Sequence, residues 1–282
     1  MSLKRIAKET LSILREGSYL TISLNLVDFS AEQQAAERGT RLYTPRHVDD
    51  LLDRRPPRSR EHHTAQTTKI EVTNEKTTAA AYRMVVEEGC SDLVLLNYAS
   101  ARKPGGGFLT GAMAQEEDLT RCSGLYPCLL TQPAYYDHNR SYKSLLYTDH
   151  IIYSPDVPWF RITNDDLLED FFLASVITAP APNTGQLLRQ QPDAGPDIED
   201  TLYYRAGYVL SIAQHNRHRS LILGAWGCGV FRNDPHLVAD IFGQWLESPR
   251  FEGYFDRVVF AVYDPRKNQE ALQAFQERFA EG

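Results

Sequence analysis

Apolar residues fall into short runs of strand length that alternate, from about residue 68 onward, with stretches of helical period. Thr68-Lys69-Ile70-Glu71-Val72 alternates with period two and predicts a strand. Largely apolar runs at 92–97, 174–179, 220–224 and 257–263 predict strands buried on both faces, the second halted by Pro180 and Pro182. Between them, helices are predicted over 77–88, 201–214, 235–246 and 269–280. The second of these places Tyr204, Tyr208 and Ile212 on one face, and the third has Asn233 or Asp234 as its cap. Residues 1–20 predict a further helix with an apolar stripe at Ile6, Leu11, Ile13 and Leu14, ended near Gly17. Residues 21–65 are polar, with a basic loop at Arg54-Arg55-Pro56-Pro57-Arg58. The pattern therefore divides the chain into an N-terminal helical extension (1–65) packed on the core, and an α/β domain (66–282) whose sheet is covered by helices on both faces.

Composition narrows the function classes. The 282 residues carry a net charge of −7, which argues against an extended nucleic-acid groove but leaves room for an anion held by backbone N–H groups. No run of about 18 apolar residues predicts a membrane span. No signal-like apolar core follows the first residues, and Cys90, Cys122, Cys128 and Cys228 lack paired spacing, so a cytoplasmic protein with reduced thiols is expected. His62-His63 has no neighbouring cysteine or spaced acid, and no metal or cofactor is expected anywhere.

Two glycine loops follow predicted strands, where α/β sheets bind ligands. The first holds Gly105, Gly106 and Gly107, and Gln115-Glu116-Glu117 begins eight residues beyond it. Without Cβ atoms such a loop admits a ligand close to the backbone, while paired carboxylates suit acid/base work on a sugar. The second runs Gly224-Ala225-Trp226-Gly227-Cys228-Gly229-Val230-Phe231 ahead of a helix. It follows neither the P-loop nor the Gly-x-Gly-x-x-Gly pattern, but it suits a phosphate at a helix N-terminus. Two such loops on one sheet suit a clamped diphosphate. Cys228 reads as a small residue in a tight loop in preference to a nucleophile.

The segment from Asn97 to Gly107 (Asn-Tyr-Ala-Ser-Ala-Arg-Lys-Pro-Gly-Gly-Gly), the Gln115-Glu116-Glu117 triplet and the Gly227-Cys228-Gly229-Val230-Phe231 loop resemble bacterial-type poly(ADP-ribose) glycohydrolases. Tyr153-Ser154-Pro155-Asp156-Val157-Pro158 also looks like a segment of that family, and the resemblance spans roughly 68–265. It implies a macrodomain-like mixed sheet with added N-terminal helices. It also implies an enzyme that cuts ribose–ribose O-glycosidic bonds of poly(ADP-ribose), on poly(ADP-ribosyl)ated proteins, and releases ADP-ribose. By resemblance Glu117 is the general acid that later takes a proton from water, Glu116 holds ribose hydroxyls, and Gln115 positions. Asn97 matches a ribose-contacting asparagine. The glycines of both loops, with Cys228, Val230 and Phe231, surround the diphosphate and distal ribose. Asn74 and Glu75 are candidates for the adenine edge. Tyr263 is either a stacking face for adenine or a half-buried strand tyrosine.

Adjacent helical positions point about 100° apart, so a single-acid mechanism is expected instead of an acid–nucleophile couple. A monomer is the default. The competing reading is a non-catalytic ADP-ribose reader, which would share the glycine loops but have no use for the glutamates. A phosphosugar hydrolase would need metal ligands, and a purely structural protein would need neither loop. Release of ADP-ribose from the polymer separates the enzyme from the reader.

Overall fold

The computed structural model describes residues 2–54, 67–163 and 166–280. In chain order the elements are α1 (Leu3–Glu16), β1 (Ser18–Leu20), β2 (Leu26–Asp28), α2 (Ser30–Gly39), β3 (Arg41–Tyr43), α3 (Pro45–Asp53), β4 (Lys69–Thr73), α4 (Thr77–Tyr82) and β5 (Leu93–Tyr98). They continue with α5 (Gln115–Cys122), α6 (Leu125–Leu130), α7 (Pro133–Ser141), β6 (Ile151–Arg161), β7 (Leu167–Ala179), α8 (Thr184–Gln190) and α9 (Gly195–His215). The last are β8 (Ser220–Leu223), α10 (Pro235–Glu247), β9 (Arg257–Ala261) and α11 (Glu270–Phe279). Arg55–Arg58 and the His62-His63 pair lie outside the described residues.

The main sheet has the order β3-β6-β7-β5-β8-β9-β4. Strands β7, β5, β8, β9 and β4 run parallel, while β6 is antiparallel to both β7 and β3, so the sheet is mixed. Its two faces bury separate cores, as the period of two requires. From β5, Val94 and Leu96 enter the core beneath α3, α9, α10 and α11, while Leu93 and Leu95 enter the core beneath α4, α5, α6 and α7. Val258 and Phe260 of β9 divide from Val259 and Ala261 in the same way. A third, smaller cluster joins Ile13, Tyr19, Phe29 and Phe160, which fastens α1 and the β1–β2 hairpin to β6.

The apolar runs after residue 68 mark five of these strands, and the structure differs from the pattern elsewhere. The long hairpin β6–β7 was illegible over most of its length. Pro155 and Pro158 interrupt β6, and the register shifts between Ser154 and Val157. A bulge absorbs them, as prolines in a strand require. β3 is three residues long, too short to announce itself, yet it supplies an edge of the main sheet from the N-terminal segment. In α1, Leu11 is exposed and the buried stripe is Ile6, Ala7, Thr10 and Ile13; Gly17, at φ +70°, ends the helix. Tyr204 is exposed while Tyr208 and Ile212 are buried, so the three do not share a core face. The 77–88 helix is α-helical to Tyr82 and continues as a π-turn over Arg83–Glu87. The last strand stops at Ala261, leaving Tyr263 in the loop beyond it.

Candidate active site

A cavity of about 620 Å³ opens at the carboxyl ends of β4, β5, β8 and β9. Glu75 and Lys76 line it from the turn before α4, Gln115 from the start of α5, Cys228 and Gly229 from the second glycine loop, and Tyr263 from the loop after β9. Leu3 of α1 completes the wall. The N-terminal segment therefore reaches the site, although no motif within it signals this.

The acidic pair stands beside this cavity in the first turn of α5, where the helix dipole favours carboxylates. Gln115 staples that turn to β5. Its Oε1 accepts from the Tyr98 N–H at 2.9 Å, and its Nε2 donates to the Leu96 carbonyl at 2.7 Å. Glu116 accepts from the Ser100 N–H at 2.7 Å and from Asn97 Nδ2 at 3.4 Å. Asn97 is fully buried and also donates to Thr178 Oγ1 at 3.2 Å, so it holds Glu116 from the end of β5. Glu117 turns back toward the start of its helix, accepting from the Ala114 N–H at 3.0 Å and the Gly107 N–H at 2.8 Å. The triple-glycine loop thus spends a backbone donor on a glutamate. Both carboxyl groups converge on Gly106, although successive helix positions start about 100° apart. At φ +58° Gly106 occupies the left-handed region, and a Cβ there would press on Glu117 Oε1 and lie 3.0 Å from Glu116 Oε2.

Both glutamates are buried. Burial, with the Glu117 charge adding to it, pushes the Glu116 carboxyl up to about 8, against the Ser100 and Asn97 hydrogen bonds that favour its ionised form. Glu116 is therefore held toward its neutral form at neutral pH.

The second loop divides by function. Gly227, at φ +75°, makes the turn, and a Cβ there would meet Asn233 Nδ2 and, at 2.7 Å, Ala181 Cβ. Gly229 is exposed on the cavity, and a Cβ there meets no atom within 4 Å. Burial pushes the Cys228 thiol up, away from a reactive thiolate. Val230 is 81% exposed and Phe231 lies against Tyr147 with ring centres 6.2 Å apart; neither lines the cavity. Asn74 also stands outside the lining, where its Oδ1 accepts from the Asp264 N–H. Glu75 does line the cavity and is ion-paired to Arg83 at 2.5 Å. The Tyr263 ring is half exposed, with Lys76 Nζ 5.8 Å from its centre.

Sequence reasoning missed Lys76, Thr78, Tyr98, Asp118 and Arg266, all on the cavity wall. Lys76 could have been suspected from its place beside Glu75. The hydroxyls of Thr78 and Tyr98 are buried with no hydrogen-bond partner among the described residues, so they can serve a bound polar molecule. No cluster of three or more His, Cys, Asp or Glu suited to a metal ion is found among the described residues. No helix among them is long and apolar enough to cross a membrane.

A family model described as microbial-type PARG, catalytic domain, matches residues 7–162. Among solved structures, the poly(ADP-ribose) glycohydrolase of Thermomonospora curvata is 42% identical, with TM-score 0.92 over 98% of this chain and 99% of that one. The same enzyme bound to the inhibitor ADP-HPD aligns with TM-score 0.88, at the same identity and coverage. The Deinococcus radiodurans enzyme in complex with ADP-ribose is 46% identical, with TM-score 0.79 over 87% of this chain and 96% of that one. No curated protein matches the chain.

Proposed function

The chain belongs to the microbial-type poly(ADP-ribose) glycohydrolase family, and from that premise we propose how its residues divide the work. The enzyme hydrolyses ribose–ribose O-glycosidic bonds of poly(ADP-ribose) and releases ADP-ribose, with a glutamate as general acid/base. The observation that carries the assignment of residues is the convergence of two buried carboxyl groups on Gly106 beside the cavity.

Cleavage breaks the bond between the anomeric carbon and the leaving ribose oxygen through an oxocarbenium-like state. Glu117 donates a proton to that oxygen. Water then bonds to the anomeric carbon and gives its proton to Glu117. Between the two steps Glu117 is an anion in a buried site, and that unfavourable state drives recovery of the proton from water. Glu116, fixed by Ser100 and Asn97, orients the ribose hydroxyls. Glu75 and Tyr263 receive the base, and Cys228 and Gly229 lie along the diphosphate. Incubation with poly(ADP-ribose) tests the reading: free ADP-ribose is expected, whereas a reader protein would bind polymer and release none.

Two outcomes follow from this arrangement. Ionisation of Glu116 above about pH 8 puts a second negative charge where the ribose hydroxyls are held, so kcat/KM holds below about pH 8 and falls above it. A profile flat to about pH 9.5 would show that the protonation state of Glu116 plays no part in the reaction. Gly229→Val fills open space on the cavity wall. It should weaken ADP-ribose binding about tenfold or more while adenosine, lacking the diphosphate, loses much less. Calorimetric titration of both ligands checks this, with melting temperature as control; equal losses for both ligands would make the loop a structural turn only.

A further inference from the structure

The basic stretch that the active site leaves unused points to a second site. A separate cavity of about 260 Å³ lies at the β3 edge of the sheet, lined by Arg41 and Tyr43 of β3, His47 and Asp50 of α3, Arg54 just beyond it, and His215 at the end of α9. Arg41, Arg54 and both histidines are exposed. Among the described residues neither arginine has a carboxylate within ion-pair distance, and Asp50 is the acid on this lining. The neighbouring Asp49 is occupied by the Tyr208 hydroxyl at 2.5 Å. Positive potential meets in the pocket: partial desolvation of the ring where it packs on Tyr43, then the Arg54 and Arg41 charges, hold His215 below the usual imidazole range. The Tyr43 ring, buried edge-on to His215, gives the pocket a fixed floor. The charge is also local in the sequence. Residues 38–63 hold seven arginines against four carboxylates in a chain of net charge −7.

We propose that this pocket is a secondary binding site for poly(ADP-ribose), holding a diphosphate of a unit remote from the bond being cut. The proposal rests on the polymer-cleaving activity. A polyanion approaching a chain of net charge −7 is repelled at long range, and a local cationic pocket offsets that. Two guanidinium forks at one concavity match phosphate oxygens in a way that scattered surface lysines do not. β3 is the far edge of the sheet, three strands from β5, and His215 ends α9 on the side where β8 begins, opposite the carboxyl ends that open the active site, so one ADP-ribose unit at the glutamates does not also fill this pocket. A chain of several units does, and the second contact raises the effective concentration of polymer at the active site. Long chains are therefore held more tightly than short ones, with no change in the chemical step.

The test is the double variant Arg41→Gln/Arg54→Gln, assayed on long poly(ADP-ribose) and on the two-unit fragment. Both side chains are exposed, so the melting temperature should hold. KM for the long polymer should rise about 5–10-fold, while kcat and the two-unit KM stay put. The slope of log(kcat/KM) against log salt for the long polymer should become shallower by about 1.4, since each lost phosphate contact removes roughly 0.7. Arg41→Lys/Arg54→Lys, which keeps the charge, should restore most of that slope. An unchanged long-chain KM overturns the proposal, as does an equal rise for both substrates. Loss of single-stranded RNA binding with polymer kinetics intact also overturns it and assigns the pocket to nucleic acid. Cleavage of the two-unit fragment by the parent enzyme separates all these outcomes from failure of the glycohydrolase activity itself.

Discussion

Glu117→Gln lowers hydrolysis of poly(ADP-ribose) by about 10²–10⁴-fold while ADP-ribose still binds. The amide keeps the size of the carboxyl and one acceptor oxygen, but it has no proton to give to a leaving ribose. Glu117 is held by the N–H groups of Gly107 and Ala114, at 2.8 and 3.0 Å. A glutamine can satisfy one of these and must turn its NH₂ toward the other, so a stability loss of about 1–2 kcal/mol accompanies the loss of rate. Release of ADP-ribose measures the first effect, thermal melting the second and calorimetry the binding. A variant that retains more than about a tenth of the parent rate would remove Glu117 from the role of acid. Glu116→Gln is the necessary companion, because burial places the raised carboxyl there. If that variant alone lost the reaction, the two roles would exchange.

The second large effect comes from a residue with no side chain. In Gly106→Ala the new methyl group presses on Glu117 Oε1 and comes within 3.0 Å of Glu116 Oε2. The backbone there is also in the left-handed region, which costs a residue with a Cβ about 1 kcal/mol. The carboxyl groups must move, and a displacement of about 1 Å in such a site lowers rate about 10²-fold. We expect kcat to fall by at least that factor in a protein that still folds. Gly105→Ala is the contrast. Its φ is +65°, but its Cβ meets Thr120 and Tyr126, so stability should fall with a much smaller loss of rate. Gly106→Ala within threefold of the parent kcat would show that this loop does not position the pair.

Much of this molecule could be read in advance because the signals are local. Leu93–Leu96, Leu221–Leu223 and Val258–Ala261 are apolar runs of strand length, and each is a buried strand. Their alternate residues do enter two different cores, as a sheet covered on both faces demands. The Gly105–Gly107 loop and the Gln115-Glu116-Glu117 triplet stood out as a combination, since a glycine run alone is usually a turn and paired acids alone are usually solvated helix surface. β6 did not stand out, since its prolines erase the alternation and only a bulge against β7 makes the strand possible. Leu3 carried no sign that it reaches the cavity, and nothing local to Tyr98 signalled that its hydroxyl is buried there with no hydrogen-bond partner among the described residues.

The sequence by itself determined five strands of the main sheet, the helices that alternate with them, the two glycine loops and the family, because periodicity and short motifs are written within a dozen residues. The tertiary structure decided what those motifs touch. It turned the Gly107 N–H toward Glu117, set Asn97 behind Glu116, separated the turn-making Gly227 from the cavity-facing Gly229, and brought Arg41 to His215. Each of these is a contact between groups whose separation in the chain carries no period. Such contacts follow from how whole elements stack to bury their apolar faces, so they exist once the sheet and its helices have closed.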